Sequence, residues 1–183
     1  MSDNEKVAAV SGWGSTSGER AAAYPCDSVV PDAVKSVYRA LDVNAPAAVV
    51  WRWLCQLRVA PYSYDILDNL GRRSPRTLTP GLDQLAPGQT FMMIYELVDF
   101  EPDQHITVAT KRFPWMIGRQ VITYQVTGRP GGGSRLVAKR RIRPPKGPFW
   151  PMVRFNLPVI DLIMTRKQLR TLKRLAERQA ANG

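Results

Sequence analysis

The fold of this 183-residue chain is decided by the stretch Arg135-Leu-Val-Ala-Lys-Arg-Arg-Ile-Arg143 and by the helical pattern after it. Alternation along the stretch places Leu136, Ala138 and Ile142 on one face, which predicts a β-strand with an apolar side. A break rich in Pro, Gly and Trp covers residues 144–151, and the helical pattern then runs from Phe155 to Gln179. The first half of that helix is apolar almost all round, so protein or ligand must surround it. The order predicts a helix lying across a concave sheet, with a cavity between them.

The rest of the chain predicts an α+β domain over residues 31–180, preceded by a flexible tail over residues 1–30 that is rich in Ser, Gly and Ala. A strand is predicted from Val34 to Val43. Two helices follow it, from residue 44 to about Leu57 and from Tyr64 to Leu70. Four further strands are expected at Thr90–Phe100, His105–Arg112, Arg119–Thr127 and Arg135–Arg143. Their short connections indicate an antiparallel meander.

Composition excludes several kinds of protein. Hydrophobic residues make up 44% of the chain and charged residues 22%, which is ordinary for a soluble globular domain. No apolar run reaches the ~18 residues that span a bilayer, and the acidic start does not resemble a signal peptide, so we expect a cytoplasmic protein. With two cysteines and one histidine, the sequence predicts no disulfide framework, no metal site and no cofactor.

The net charge of +11 requires nucleic acid and anionic membranes to be considered as partners. Much of the charge lies on the second half of the terminal helix, at Arg166, Lys167, Arg170, Lys173, Arg174 and Arg178. That half lacks the interleaved aromatic residues of proteins that bind single-stranded nucleic acid, which disfavours nucleic acid as a partner. We expect a solvated basic face, with peripheral contact to an anionic membrane as the alternative.

Three segments carry a resemblance to a known superfamily. They are Val43-Asn-Ala-Pro-Ala-Ala-Val-Val-Trp-Arg-Trp-Leu54, Tyr62-Ser-Tyr-Asp-Ile-Leu-Asp-Asn-Leu-Gly71 and Asp161-Leu-Ile-Met-Thr-Arg-Lys-Gln-Leu-Arg-Thr-Leu-Lys173. Together they resemble a bacterial subgroup of the SRPBCC superfamily, also called the START or Bet v 1-like helix-grip fold. The resemblance implies an antiparallel sheet wrapped around a long C-terminal helix, with two short helices after the first strand. It leaves function open, because the superfamily includes lipid carriers, hormone receptors and polyketide cyclases.

The strand alternation makes Arg140 a lone cation on an apolar, inward-facing strand surface. A buried arginine needs an anionic partner, which is either a ligand carboxylate or phosphate, or an internal carboxylate such as Glu96 or Asp161. As a further alternative, the side chain snorkels to the rim of the cavity. Asp161 itself lies in the apolar half of the terminal helix, where an unpaired carboxylate would be costly. It is a candidate structural partner of Arg140 or of the predicted helix Tyr64–Leu70 and, as an alternative, a general acid–base group.

Other side chains are candidates for the wall or entrance of the cavity. Tyr62 and Tyr64 carry polar tips that suit a pocket entrance. Met93 and Tyr95 share a predicted strand face, and Tyr124 lies on the inward face of another strand. Ile160 and Met164 represent the terminal helix. Ordinary core packing explains each of them equally well.

The leading hypothesis is the binding of a small hydrophobic ligand, such as a lipid, a polyketide or an aromatic compound, between sheet and terminal helix. A cyclase or dehydratase-type enzyme using the same cavity is the first alternative, although no catalytic residue can be assigned. A basic surface that binds anionic membrane or nucleic acid is the second.

Overall fold

A computed structural model describes residues 11–64, 71–145 and 150–182, with the side chains of residues 150–160 outside the description. The helices are α1 (Ser17–Ala21), α2 (Cys26–Val29), α3 (Ala47–Cys55), α4 (Pro114–Ile117) and α5 (Trp150–Asn182). The strands are β1 (Lys35–Val43), β2 (Thr90–Phe91), β3 (Tyr95–Glu101), β4 (His105–Thr110), β5 (Arg119–Gly128) and β6 (Ser134–Arg143). A 3₁₀ turn, Gln56–Arg58, continues α3. The predicted helix Tyr64–Leu70 falls outside the described residues except for its first residue.

The six strands form one antiparallel sheet in the order β1-β6-β5-β4-β3-β2. Strands β2 to β6 follow one another as a meander, and β1 adds to the edge of β6. The α+β class and the antiparallel sheet are therefore confirmed. One predicted strand is split, since residues 92–94 separate β2 from β3.

The inner face of the sheet forms the main core with α3 and α5. Leu136 and Ala138 of β6 lie in this core, as the alternation predicted. From α3, Val50, Trp51 and Leu54 pack into it, and the second half of α5 adds Leu169, Leu172, Leu175 and Ala176. Burying one such leucine stabilises the fold by roughly 1.5–3 kcal/mol. The long terminal helix thus closes the core, as the helix-grip fold requires.

Most of the N-terminal segment, residues 11–34, covers the outer face of the sheet. Tyr24, Cys26 and Val30 are buried there against Val121 and Val137. The first part of the segment follows the edge of β1, where the Trp13 carbonyl accepts from the Ala40 amide and the Trp13 ring packs against the main core beneath Arg166 and Arg170 of α5. The expectation of a flexible tail is wrong for residues 11–30, because apolar contacts and ion pairs to β6 hold them in place. Residues 1–10 lie outside the described part of the chain.

Helix α5 begins at residue 150, five residues earlier than the sequence pattern predicted. Its C-terminal part is tied to the rest of the domain by polar contacts. Trp53 Nε1 donates to Gln179 Oε1 at 2.8 Å, and the Asn44 amide donates to Glu177 Oε1 at 2.8 Å. Within the described residues, no helix is both long and apolar enough to cross a membrane.

Candidate functional site

A cavity of about 250 Å³ lies between the inner face of the sheet and the middle of α5. Its described lining is mostly apolar and aromatic, with a few polar groups at defined positions. The lining comprises Pro61, Ser63, Met92, Ile94, Tyr95, Ile117, Gln120, Tyr124, Arg140, Asp161, Met164, Thr165 and Gln168. Strand alternation explains this wall, because Tyr95, Gln120, Tyr124 and Arg140 all point to the inner face.

A charged cluster of two arginines and one aspartate is buried at the cavity. Asp161 Oδ1 lies 2.5 Å from Arg140 Nη1, and Asp161 Oδ2 lies 3.0 Å from Arg39 Nη2. The Thr165 hydroxyl also donates to Asp161 Oδ1 at 3.2 Å. Only 2% of the Arg39 side chain and 7% of the Asp161 side chain are exposed, against 19% for Arg140. Arg140 is therefore the member of the cluster that faces open space.

The charged groups of the cluster shift one another's pKa values and leave it with an excess of positive charge. Burial disfavours a charged Arg140, but the attraction of Asp161 outweighs it and raises the pKa of Arg140 above its ordinary value. Burial lowers the pKa of Arg39, with Asp161 opposing that effect. With Asp161 as a carboxylate, two positive charges face one negative charge, so the cluster carries a net positive charge at neutral pH.

Two hydrogen-bonded tyrosines complete the polar part of the wall. The Tyr95 hydroxyl donates to Gln120 Oε1 at 3.3 Å, and Arg140 Nη1 donates to the same oxygen at 3.3 Å. The Tyr124 hydroxyl donates to Gln168 Oε1 at 2.8 Å, while Gln168 Nε2 donates to the carbonyl of Pro61 at 2.7 Å. Burial raises the pKa of both tyrosines, so each phenol stays neutral and able to donate.

Five of the residues proposed from sequence come together at the cavity: Tyr95, Tyr124, Arg140, Asp161 and Met164. Tyr62 lies elsewhere, because a left-handed backbone (φ 56°) places its ring in the core, edge-on to Trp53. Tyr64 is 40% exposed beneath Lys167, and the side chain of Ile160 lies outside the description. Of the internal partners considered for Arg140, Asp161 is the one it contacts.

Met93 is 43% exposed and is not among the described lining residues. The alternation that placed it beside Tyr95 fails because Met92 and Met93 both have positive φ, which reverses the chain between β2 and β3. Its neighbours Met92 and Ile94 line the cavity instead. The methionines of the described lining are therefore Met92 and Met164, of which Met164 was expected there.

Sequence reasoning missed Arg39, Gln120, Thr165 and Gln168. Arg39 had a readable signal, because alternation in β1 puts it on the same face as Val37 and Val43. Gln120 had the same signal, because alternation in β5 puts it on the face of Ile122 and Tyr124. The role of Gln168 depends on which strand and loop the terminal helix faces, and no local pattern gives that. Among the described residues, no group of three or more His, Cys, Asp or Glu side chains could hold a metal ion.

Comparison with solved structures finds proteins of the same fold. The aromatase/cyclase Zhui from Streptomyces sp. R1128 superposes with a TM-score of 0.55 and 15% identity, covering 81% of this chain and 98% of that one. A solution structure of a protein from Thermobifida fusca superposes with a TM-score of 0.54 and 18% identity, covering 78% of this chain and 93% of that one. The di-domain aromatase/cyclase StfQ of the steffimycin biosynthetic pathway superposes with a TM-score of 0.51 and 16% identity, covering 84% of this chain and 54% of that one. No protein-family model and no curated protein sequence matches the chain. At these identities the likeness shows the fold, and the helix-grip architecture is confirmed.

Proposed function

We propose that this protein binds a small, mainly apolar ligand that carries an acidic group, in the cavity between the sheet and α5. The observation that supports it best is the Arg39–Asp161–Arg140 cluster, whose net positive charge borders an otherwise apolar cavity. Neighbouring aromatase/cyclases use the same fold, which supports a small-molecule cavity and leaves the ligand to be argued from these residues.

Arg140 has donors to spare for a ligand. Its Nη1 is the atom that contacts both Asp161 and Gln120. Within the described part of the chain, its Nε and Nη2 have no hydrogen-bond partner. A guanidinium offers five N–H donors in a fixed plane and pairs well with a carboxylate or phosphate. The unused edge of Arg140 is thus a ready site for an anionic group.

The size and lining of the cavity limit the rest of the ligand, to which the anionic group is attached. At about 250 Å³ the cavity is just smaller than the ~300–1,000 Å³ of typical ligand sites, so the ligand is small. Ile94, Ile117 and Met164 provide apolar contact, and methionine adapts to irregular shapes. The neutral phenols of Tyr95 and Tyr124 border the same space.

An enzyme of the cyclase or dehydratase type is the alternative, but the geometry favours binding. Acid–base catalysis needs a titratable group free to meet substrate. Both oxygens of Asp161 are occupied, by Arg39 on one side and by Arg140 and Thr165 on the other. His105 alternates with Ile106 and so lies on the outer face of the sheet, where it pairs with the half-exposed Asp99. The described lining therefore contains no free acid–base pair.

A pair of fluorescent probes tests the proposal. Anilinonaphthalene sulfonate is apolar and anionic, and N-phenyl-1-naphthylamine is a similar molecule without the charge. Arg140→Met should weaken binding of the anionic probe about tenfold or more, because a charge-assisted hydrogen bond contributes on the order of 1.5–3 kcal/mol. Binding of the neutral probe should change little, since methionine keeps the wall apolar.

Arg141→Met is the matched control, because Arg141 is the next residue of β6 and points to the outer face. It should leave both affinities unchanged while lowering thermal stability. Equal weakening of both probes by Arg140→Met would contradict the acidic-ligand proposal. Binding of neither probe by the folded wild-type protein would contradict the ligand-binding function itself.

A further inference from the structure

The connection between β4 and β5 exposes three large apolar side chains on a single helical turn. Trp115 is 74% exposed, Met116 49% and Phe113 47%. Met93, 43% exposed, lies in the neighbouring β2–β3 connection. The two connections are joined, because the amides of Lys111 and Arg112 donate to the carbonyl of Ile94 at 2.8 and 3.1 Å. We call these four apolar side chains, Met93, Phe113, Trp115 and Met116, the apolar tip.

The backbone holds the apolar tip in this exposed arrangement. Phe113 has φ 59° and ψ 37°, a left-handed conformation that a bulky residue adopts at a cost of about 1–3 kcal/mol. Its carbonyl accepts the amides of Met116 and Ile117, which closes the turn. At Gly118 an added Cβ would lie 2.5 Å from the carbonyl oxygen of Arg143, so the connection is fixed closely against the end of β6. The exposed tryptophan therefore stands on a defined turn.

Basic residues surround the base of the apolar tip. Lys111 and Arg112 are exposed in the same connection, and Arg119 is exposed at the start of β5. Arg143 lies opposite Arg119 on β6. Lys111 pairs with Glu96 and Arg143 with Asp32. Arg112 and Arg119 have no ion-pair partner in the described part of the chain. These four cations thus outnumber the two carboxylates that pair with them.

We propose that this end of the molecule docks on an anionic lipid bilayer, with the apolar tip at the interface and the basic residues at the headgroups. Exposed patches of large apolar side chains mark interaction sites, and tryptophan beside lysine and arginine suits the boundary between water and lipid. A projecting turn of Trp, Phe and Met enters a fluid interface, whereas a protein partner would need a matching groove. The inference does not depend on the cavity binding a ligand.

Vesicle co-sedimentation of the full-length protein tests the docking surface. Vesicles of phosphatidylcholine with phosphatidylglycerol should bind the wild type at near-physiological salt, and vesicles of phosphatidylcholine alone should bind it much less. Trp115→Ala should weaken binding about tenfold. Arg112→Gln and Arg119→Gln together should weaken it about fivefold for each charge removed. Thermal midpoints should stay near the wild-type value, since all three side chains are exposed.

Two controls use the basic terminal helix. Ile163→Ala removes another exposed apolar side chain, and Arg174→Gln with Arg178→Gln removes two charges from α5. Neither should change vesicle binding by more than about twofold. No binding of the wild type to anionic vesicles would overturn the proposal, as would unchanged binding of Trp115→Ala. Loss of binding in the α5 charge variant alone would assign the contact to the terminal helix instead.

Discussion

Each face of the sheet carries a carboxylate that is shared by two cations. The two clusters differ in how many hydrogen-bond donors of those cations remain without a partner. On the inner face, Asp161 pairs with Arg39 and Arg140. On the outer face, Asp27 pairs with Lys139 and Arg141. Alternation along β6 separates them, because Lys139 and Arg141 point outward on either side of Arg140.

Neighbouring arginines show the difference most directly. All the nitrogens of Arg141 are used: Nη1 contacts Asp27 at 2.9 Å, Nε contacts the carbonyl of Val30 at 3.0 Å, and Nη2 contacts that of Pro31 at 3.0 Å. Lys139 is likewise enclosed, with its ammonium over the rings of Tyr24 and Tyr38. Arg140 uses Nη1 alone within the described residues. The outer cluster therefore holds a segment in place, whereas the inner cluster keeps donors available beside a cavity.

The largest expected effect comes from removing the shared carboxylate on the inner face. Asp161→Asn leaves Arg39 and Arg140 facing each other without their anion, and Arg39 is almost fully buried. Breaking a buried ion pair in this way costs roughly 3–5 kcal/mol. Asp27→Asn should cost less, about 1–3 kcal/mol, because a quarter of the Asp27 side chain reaches solvent and Lys139 keeps its aromatic contacts. Urea unfolding at pH 7 measures both free energies.

The companion variant Arg140→Met should lower stability by less than Asp161→Asn, because Asp161 keeps Arg39 and Thr165. A cost for Asp27→Asn that equals or exceeds that of Asp161→Asn would break the comparison between the faces. It would mean that the outer cluster contributes at least as much to stability as the inner one, although it is less buried.

The fold was readable from sequence because its two decisive patterns are local. Alternation in residues 135–143 predicted the correct inner face of β6, and the apolar-to-amphipathic helix predicted the element that covers it. Arg140 and Asp161 were identified because each is a charge inside an apolar pattern. Their pairing remained one of several alternatives, since it depends on the register of β6 against the position of α5.

Other features could not be read because nothing local encodes them. The position of Met93 depends on two non-glycine residues with positive φ, which no local pattern gives reason to expect. The N-terminal segment has no apolar period, and its attachment depends on a few buried side chains and on distant ion pairs. Arg135, for example, pairs with Glu19 across more than a hundred residues.

Lowering the pH should weaken the attachment of the N-terminal segment to the outer face, because it protonates the carboxylate of Glu19. Hydrogen bonding from Arg135 lowers the pKa of Glu19 from 4.5 to about 2, against the opposing effect of burial. A lowered folded-state pKa stabilises the fold above the unfolded value, and this stabilisation is lost as pH falls through the folded one. Glu19→Gln should therefore cost about 1–3 kcal/mol at pH 7, and its difference from wild type should shrink between pH 4.5 and pH 2.

Glu101→Gln, at the exposed last residue of β3, is the control for removing a negative charge. It should change the free energy of unfolding by less than about 0.5 kcal/mol over the same pH range. A Glu19→Gln penalty that stays constant down to pH 2 would show that the Arg135 contact does not depend on the charge of Glu19.

The smallest expected effect is a difference in how readily the two sides of the sheet open and expose their cysteine thiols. Cys26 belongs to the N-terminal segment and is fully buried between that segment and the outer face of the sheet, whereas Cys55 is fully buried in the main core. Burial raises the pKa of both thiols, that of Cys55 to about 12, so neither reacts without opening of the structure. Detachment of residues 11–34 exposes Cys26 alone, while Cys55 requires the core to open. Native-state thiol labelling, read by peptide mass spectrometry, should therefore modify Cys26 first.

Asp27→Asn should raise the labelling rate of Cys26 several-fold, because it removes the anion that ties the segment to Lys139 and Arg141. If the segment opens independently, the variant should raise the Cys55 rate by a smaller factor, set only by its loss of global stability. Equal acceleration of both thiols would mean that the N-terminal segment and the main core open as one unit. In that case the outer cluster would stabilise the whole domain, and the two faces would differ in spare hydrogen-bond donors but not in how they open.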